Sequence, residues 1–290
     1  MSTESASIDS GSGSTRLYGI LGHPIGHSLS PLMHTLAFRH HNLDAVYLPF
    51  SVAPDDLGSA VAGAVALGMG GLNITIPHKE NIVTCLDEIT DEASAIGAVN
   101  TVQLRDGLAI GHNTDGAGFL LPLQQMATPV SQLDACVLGA GGAARALAAA
   151  LLGAGCPRLI IANRTFSRAE RLAAELQSRY SVAEVRSIHM SDAADAARQS
   201  RLVVNSTSIG MHQGDGSPLP GGCLGPEQVA YDIVYRPLIT PFLQEAHAAG
   251  ATTIGGLDML IGQGAAAFAI WTGLSFPLDA VRPALEAQLR

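Results

Sequence analysis

A single lysine stands among fifteen arginines in this 290-residue chain. It is Lys79, inside Gly71-Leu72-Asn73-Ile74-Thr75-Ile76-Pro77-His78-Lys79-Glu80. Arginine keeps its proton in a protein, whereas lysine is a titratable amine whose pKa moves readily on partial burial. A position that keeps lysine against such a bias suits a general acid/base. On composition alone a solvated charge near a helix start fits equally well. Two further polar segments interrupt apolar runs: His27-Ser28-Leu29-Ser30-Pro31, and Gly97-Ala98-Val99-Asn100-Thr101 followed by Asn113-Thr114-Asp115-Gly116. Taken singly, their Ser and Thr read as helix caps and 113–116 as a turn.

A second constellation is Val137-Leu138-Gly139-Ala140-Gly141-Gly142-Ala143-Ala144, after a strand-like run and before a helix-like one. Gly139 permits a tight turn, Gly141 lets a pyrophosphate approach the backbone, and Ala144 takes the place of the third glycine of a dinucleotide fingerprint. The helix start then offers free N–H groups and a favourable dipole, with Gly142 and Ala143 in its first turn. About twenty residues on, Asn163, Arg164 and Thr165 precede Arg168, and no acidic side chain is present to hold a ribose 2′-OH. Donors and forked guanidinium groups suit a 2′-phosphate instead, which makes NADP(H) the expected cofactor.

The elements that must hold these groups follow from apolar periodicity. Strands are expected at 17–22, 45–52 and 72–76, and helices at 31–41 and 54–67, with a hairpin joining 98–104 to 108–111 across Arg105-Asp106-Gly107. A second series begins near Gln132, with strands at 135–138, 159–162, 202–205 and 229–234 and helices at 142–152 and 167–179. The pattern turns helical again at 257–271 and 278–289. Alternation of this kind gives an α/β protein with mainly parallel, doubly wound sheets, and the second series has the rhythm of a nucleotide-binding Rossmann domain. No repeat of fixed period is present.

The formal net charge of −9 argues against a nucleic-acid or anionic-membrane partner. The four cysteines, at 85, 136, 156 and 223, are dispersed and read as thiols of a reducing compartment. No metal site is expected. Residues 1–15, rich in Ser and Gly, read as a flexible tail rather than a signal peptide, and no apolar stretch reaches membrane-spanning length uninterrupted, so a soluble, cytoplasmic protein is expected.

Taken together, the polar segments and the dinucleotide turn resemble shikimate dehydrogenase, an NADP-dependent family, from about Tyr18 to the C-terminal helices. Asn205-Ser206-Thr207-Ser208, Tyr231-Asp232-Ile233-Val234-Tyr235, Thr240-Pro241-Phe242-Leu243 and Gly256-Leu257-Asp258-Met259-Leu260 with Gln263 and Phe268 extend the likeness. The resemblance implies hydride transfer between the nicotinamide and the ring carbon that bears the oxo group of 3-dehydroshikimate. In it, Lys79 and Asp115 correspond to the pair at the reacting oxygen, with Lys79 the proton donor in reduction. Ser28 and Ser30 correspond to hydroxyls that bind the substrate carboxylate, with Tyr235 nearby. Asn73, Thr75, Asn100 and Gln263 correspond to readers of the ring hydroxyls, and Thr207, Ile233 and Gly256 line the nicotinamide end. A substrate domain of residues 16–114 plus 257–290 and an NADP domain of residues 115–256 follow from the same likeness, with a monomer or a homodimer both open. The chain departs from many relatives at His112, Arg236 and Gly264, which touches fine specificity rather than the reaction. Two other readings share the scaffold. One is a broader quinate/shikimate dehydrogenase, disfavoured by Ser30 and by the Asn163-Arg164-Thr165 run. The other is a non-catalytic shikimate-binding regulator, disfavoured by retention of both Lys79 and Asp115.

Overall fold

The computed structural model describes residues 12–26 and 28–289. His27, and residues 1–11 of the expected tail, lie outside them. The last part of that tail is tied down: the hydroxyls of Ser12 and Ser14 donate to one carboxylate oxygen of Asp44, at 2.9 Å each, and Thr15 donates to the other at 2.6 Å.

The first half runs β1 (Arg16–Gly22), α1 (Ser30–His40), β2 (Ala45–Ser51), α2 (Leu57–Ala66), β3 (Gly71–Ile74), β4 (Glu88–Ile89), α3 (Asp91–Ile96), β5 (Thr101–Arg105), β6 (Leu108–His112) and α4 (Asp115–Gln124). Its sheet has the order β2-β1-β3-β5-β6-β4. The β1–β2, β1–β3 and β4–β6 pairings are parallel, so the sheet is mainly parallel as expected. The hairpin makes the remaining β3–β5 and β5–β6 pairings antiparallel. Asp106 and Gly107 at its tip both take positive φ, 54° and 80°, the backbone of a two-residue turn matched to strand twist. The expected helix over 54–67 opens as a 3-10 turn, Pro54–Asp56, before α2. The expected strand over 72–76 stops at Ile74, and Ile76 lies exposed in the turn that carries Lys79.

The second half runs β7 (Ala135–Leu138), α5 (Gly142–Gly153), β8 (Arg158–Asn163), α6 (Phe166–Arg179), β9 (Glu184–His189), α7 (Ala193–Gln199), β10 (Leu202–Asn205), β11 (Val229–Asp232), α8 (Pro241–Ala248) and β12 (Thr252–Ile254). All five pairings of the sheet β12-β11-β10-β7-β8-β9 are parallel. Strands covered on both faces by helices carry no alternation, and every residue of β7, β10 and β11 is buried.

The chain then returns as α9 (Gly256–Thr272) and α10 (Leu278–Leu289). Trp271 of α9 donates to the Val102 carbonyl at 3.0 Å and lies so close over Gly71 that a Cβ there would meet the indole at 2.2 Å. Val281 and Leu285 of α10 complete the same core as Phe38 and Phe268. Between the two sheets, α4 and α9 cross in backbone contact: a Cβ on Gly262 would fall 2.9 Å from the Gly118 Cα. This crossing sets Gln263, midway along α9, against the first turn of α4, which opens with Asp115. Among the described residues, no helix is long and apolar enough to cross a membrane.

Candidate active site

Central strand β7 leads into Gly139, whose φ of 114° suits glycine, and a Cβ there would meet the Ser206 hydroxyl at 2.6 Å. Ser206, just past β10, donates that hydroxyl to the Leu138 carbonyl at 2.6 Å. These two strands flank the point where the strand order reverses, the crevice in which open parallel sheets take their ligands. Gly141 precedes the first turn of α5, and a Cβ built on it meets nothing within 4 Å. Open space before unpaired helix N–H groups fits a pyrophosphate. Ala140, Gly142 and Ala143 are half-buried around this turn, and Ala144 is buried where the helix meets the sheet. The residues present therefore fit a dinucleotide.

Asn163 ends β8 and donates to the Thr165 carbonyl at 2.8 Å, which shapes the following turn. Arg164, Thr165 and Arg168 are exposed on it. Arg168 lies 3.8 Å from Glu80, the residue after Lys79, so the cofactor side reaches across to the first half. At the opposite end, the Thr207 N–H and hydroxyl both donate to Asn205, at 3.1 and 2.7 Å. Asn205 in turn donates to the Asp232 carboxylate at 3.0 Å. The Val234 N–H and the Thr240 hydroxyl complete that carboxylate, at 3.0 and 2.6 Å. Asp232 is wholly buried, and burial pushes its carboxyl up to about 6 against the pull of these donors. Gly256 packs onto Ile233, whose carbonyl would sit 2.3 Å from an added Cβ. Thr207, Ile233 and Gly256 are thereby gathered at one edge of the crevice.

Lys79 Nζ donates to Asp115 Oδ2 at 2.5 Å, with side chains 15 % and 4 % exposed. The lysine sits in the turn after β3, and its carbonyl accepts the Val99 N–H at 2.8 Å. Asp115 opens α4, where helix N–H groups favour a carboxylate. Asn100 donates to its other oxygen at 2.8 Å and to Thr114 at 2.9 Å, and lies 3.4 Å from the Gln263 carbonyl oxygen. The dinucleotide turn abuts this pair: a Cβ on Gly142 would fall 3.1 Å from the Lys79 Cβ. An amine, a carboxylate and a cofactor cradle in contact can move a proton beside a hydride-transfer centre.

Ser28 is half-buried and Ser30 buried, with the Ser30 N–H donating to the Ser28 hydroxyl at 3.2 Å. The Tyr235 hydroxyl arrives from the second half against the backbone of Leu29, between them, and burial raises its pKa. Thr75 is half-buried just beyond β3. Asn73 is committed inside the protein: its amide donates to the Asn100 carbonyl and the Thr101 hydroxyl, at 3.3 and 3.2 Å, and accepts from Tyr47 at 2.7 Å. Asn73 and Asn100 thus do internal positioning that the sequence reading did not foresee. Tyr47, Thr101 and Asp232 had no place among the expected site residues. For Tyr47 and Asp232 a signal existed, a polar group in a mainly apolar strand, whereas Thr101 shares its strand with Gln103 and Arg105 and gave none.

Matches to known proteins cover most of the chain. Residues 20–102 match the family model for the shikimate dehydrogenase substrate binding domain, 123–212 that for shikimate / quinate 5-dehydrogenase, and 256–286 that for the shikimate 5′-dehydrogenase C-terminal domain. A shikimate dehydrogenase (NADP(+)) of Symbiobacterium thermophilum is 47 % identical over 281 residues, covering 96 % of each chain. The crystal structure of shikimate 5-dehydrogenase from Thermus thermophilus, in complex with NADP(H) and shikimate, superposes with a TM-score of 0.84 at 39 % identity, over 95 % of this chain and all of that one. A quinate dehydrogenase from Corynebacterium glutamicum in complex with NAD gives a TM-score of 0.85 at 32 % identity, over 94 % and 99 % of the two chains.

Proposed function

This chain belongs to the shikimate dehydrogenase family, and from that premise we propose that Lys79 and Asp115 carry its reaction, the NADP-dependent interconversion of 3-dehydroshikimate and shikimate. When bound, the cofactor supplies or accepts the hydride. As the ring carbonyl is reduced its oxygen gains negative charge, and Lys79 Nζ delivers the proton. In the reverse direction the same amine receives it. Asp115 holds Nζ at 2.5 Å and keeps a second oxygen on Asn100, so the amine is aimed before substrate arrives. Ser28, Ser30 and Tyr235 bind the substrate carboxylate through neutral donors, which suffice because hydrogen bonds to a charged acceptor are strong. Thr75, Gln263 and the spare lone pair of Asn73 read the ring hydroxyls.

Gly139, Ala140, Gly141, Gly142 and Ala143 hold the pyrophosphate, and Asn163, Arg164, Thr165 and Arg168 hold the 2′-phosphate. Thr207, Ile233 and Gly256 flank the nicotinamide. Residues 16–114 with 257–290 form the substrate domain and 115–256 the cofactor domain, and a cytoplasmic monomer or homodimer belongs to the same proposal. The observation that carries it is the contact of Gly142 with Lys79, which joins cofactor cradle and proton donor across the two halves. The test is initial-rate absorbance of the nicotinamide with shikimate or quinate against NADP⁺ or NAD⁺. Turnover confined to shikimate with NADP⁺ is expected. Equal turnover of quinate, or with NAD⁺, would assign the broader specificity.

A further inference from the structure

We propose that Tyr47 is a positioning residue for the proton-transfer pair, fixing through Asn73, Thr101 and Asn100 the donor that Asp115 receives. This rests on the assignment of Lys79 and Asp115 above. Tyr47 stands on β2, the edge strand of the first sheet, with its side chain buried beneath the site. It stacks on His34 of α1, ring centroids 4.6 Å apart and planes 16° from parallel. Burial pushes His34 down to about 3, so the ring is neutral and places no charge beside the phenol. Its hydroxyl, with Ser30 beside it, donates to Asn73 Oδ1 at 2.7 Å.

The orientation of both side-chain amides beyond that point is set by two backbone groups that cannot exchange roles. The Asn100 carbonyl can only accept, and it takes a hydrogen from Asn73 Nδ2 at 3.3 Å. The amide of Asn73 must therefore turn its oxygen toward Tyr47. The Thr114 N–H can only donate, and it gives to Asn100 Oδ1 at 2.7 Å. The Asn100 side chain must therefore turn its NH₂ toward Asp115 Oδ1, at 2.8 Å. Thr101 joins the two amides: it takes a hydrogen from Asn73 at 3.2 Å, and its hydroxyl lies within hydrogen-bond reach of both Asn100 Oδ1, at 3.2 Å, and the Thr114 hydroxyl, at 3.1 Å. A buried amide oxygen stripped of its donor is costly and drives reorientation. The backbone groups fix which way each amide faces, and the Tyr47 hydroxyl fixes where the Asn73 oxygen sits; without it, slack passes through Thr101 to Asn100 and Asp115. Burial holds the phenol pKa well above its ordinary value, so the donation persists across the range in which the enzyme works.

The test is a double-mutant cycle read as steady-state kinetics. Tyr47→Phe keeps the ring and its stacking and removes one donor. We expect a loss of kcat on the order of tenfold, the scale of one buried hydrogen bond, with the KM for NADP⁺ within about twofold of wild type. Thr101→Val should cause a comparable loss, and the double variant should lose no more than the worse single one, because both cut the same chain. Thr101→Ser restores the hydroxyl and should restore kcat, which keeps the inference testable if Tyr47→Phe does not fold. Wild-type kcat in Tyr47→Phe, multiplying losses in the double variant, a parallel rise in the KM for NADP⁺, or no recovery in Thr101→Ser would each overturn it. Lys79→Ala, assayed alongside, separates the two levels. An active Lys79→Ala would remove the assignment beneath this inference, whereas an inactive one with a wild-type Tyr47→Phe would remove this inference alone.

Discussion

The two ends of the cleft are built by opposite rules. At the proton-transfer end, Asp115 is buried and takes hydrogen bonds from Lys79 and Asn100, and behind them every polar atom of Asn73 and Thr101 has a partner. At the 2′-phosphate end, Arg164, Thr165 and Arg168 stand in solvent, and the ion pair from Arg168 to Glu80 is long at 3.8 Å. The contrast follows from what each end must do. A proton donor is effective only if aimed before the reaction, because reorientation during the barrier costs rate. A phosphate brings its own charge, so flexible arginines can close on it, and their exposure lets the cofactor enter and leave.

The sharpest way to break this comparison is Lys79→Arg. The charge stays but the titratable amine is lost, and kcat should fall roughly 10²–10⁴-fold in steady-state assays. Near-normal turnover would mean that the buried end needs only a positive charge. Next in size is Asp232, buried at the nicotinamide edge. Its carboxyl rises from 3.8 to about 6 on folding, so the native state binds this proton more tightly than the unfolded chain. Its contribution to stability is complete below about pH 4 and is lost as pH rises through about 6. That displacement corresponds to about 3 kcal/mol. Urea unfolding of wild type and Asp232→Asn should therefore show a stability difference that moves against wild type by most of that amount between about pH 4 and 7. Curves that stay parallel would exclude it.

Smaller effects belong to the exposed end. Arg164→Ala should raise the KM for NADP⁺ about tenfold, and that for NAD⁺ by less than about twofold, since only the former has a 2′-phosphate to lose. Equal weakening of both would mean that Arg164 does not read the phosphate. The smallest expected change is with salt. Going from about 0.1 to 1 M shortens the screening length from about 10 to 3 Å. The KM for NADP⁺ should then rise a few-fold while kcat with saturating cofactor stays level. A kcat that falls with it would blur the division between a sheltered pair and a solvated one.

Much of the architecture could be read from residue order. The strands of the second sheet, buried on both faces, appear as short apolar runs, and the hairpin announced itself through Asp106-Gly107. Seven elements escaped, β4, α3, α4, β9, α7, α8 and β12, and two of them show why. Strand β9, Glu-Val-Arg-Ser-Ile-His, lies at the sheet edge with residues turned to solvent, so its apolar content is too low to stand out. Helix α4 carries Gly116, Gly118 and Pro122, which lower helix propensity, and the reason for Gly118 lies in its close crossing with Gly262 on a helix well over a hundred residues later.

The same division holds at the site. A lone lysine in an arginine-rich chain, a Gly-rich turn between strand and helix, and donors where an acidic residue would mark NAD were all visible as residue types at fixed spacing. These are local properties, because a tight turn or a titratable amine depends on the residue itself. What only the tertiary structure decided was polarity and contact: that Gly142 touches Lys79, that Asn100 serves Asp115, and that a tyrosine on an edge strand feeds the same chain of hydrogen bonds. Each of these joins residues far apart in the chain. The direction of a hydrogen bond is settled only when donor and acceptor meet in the folded core.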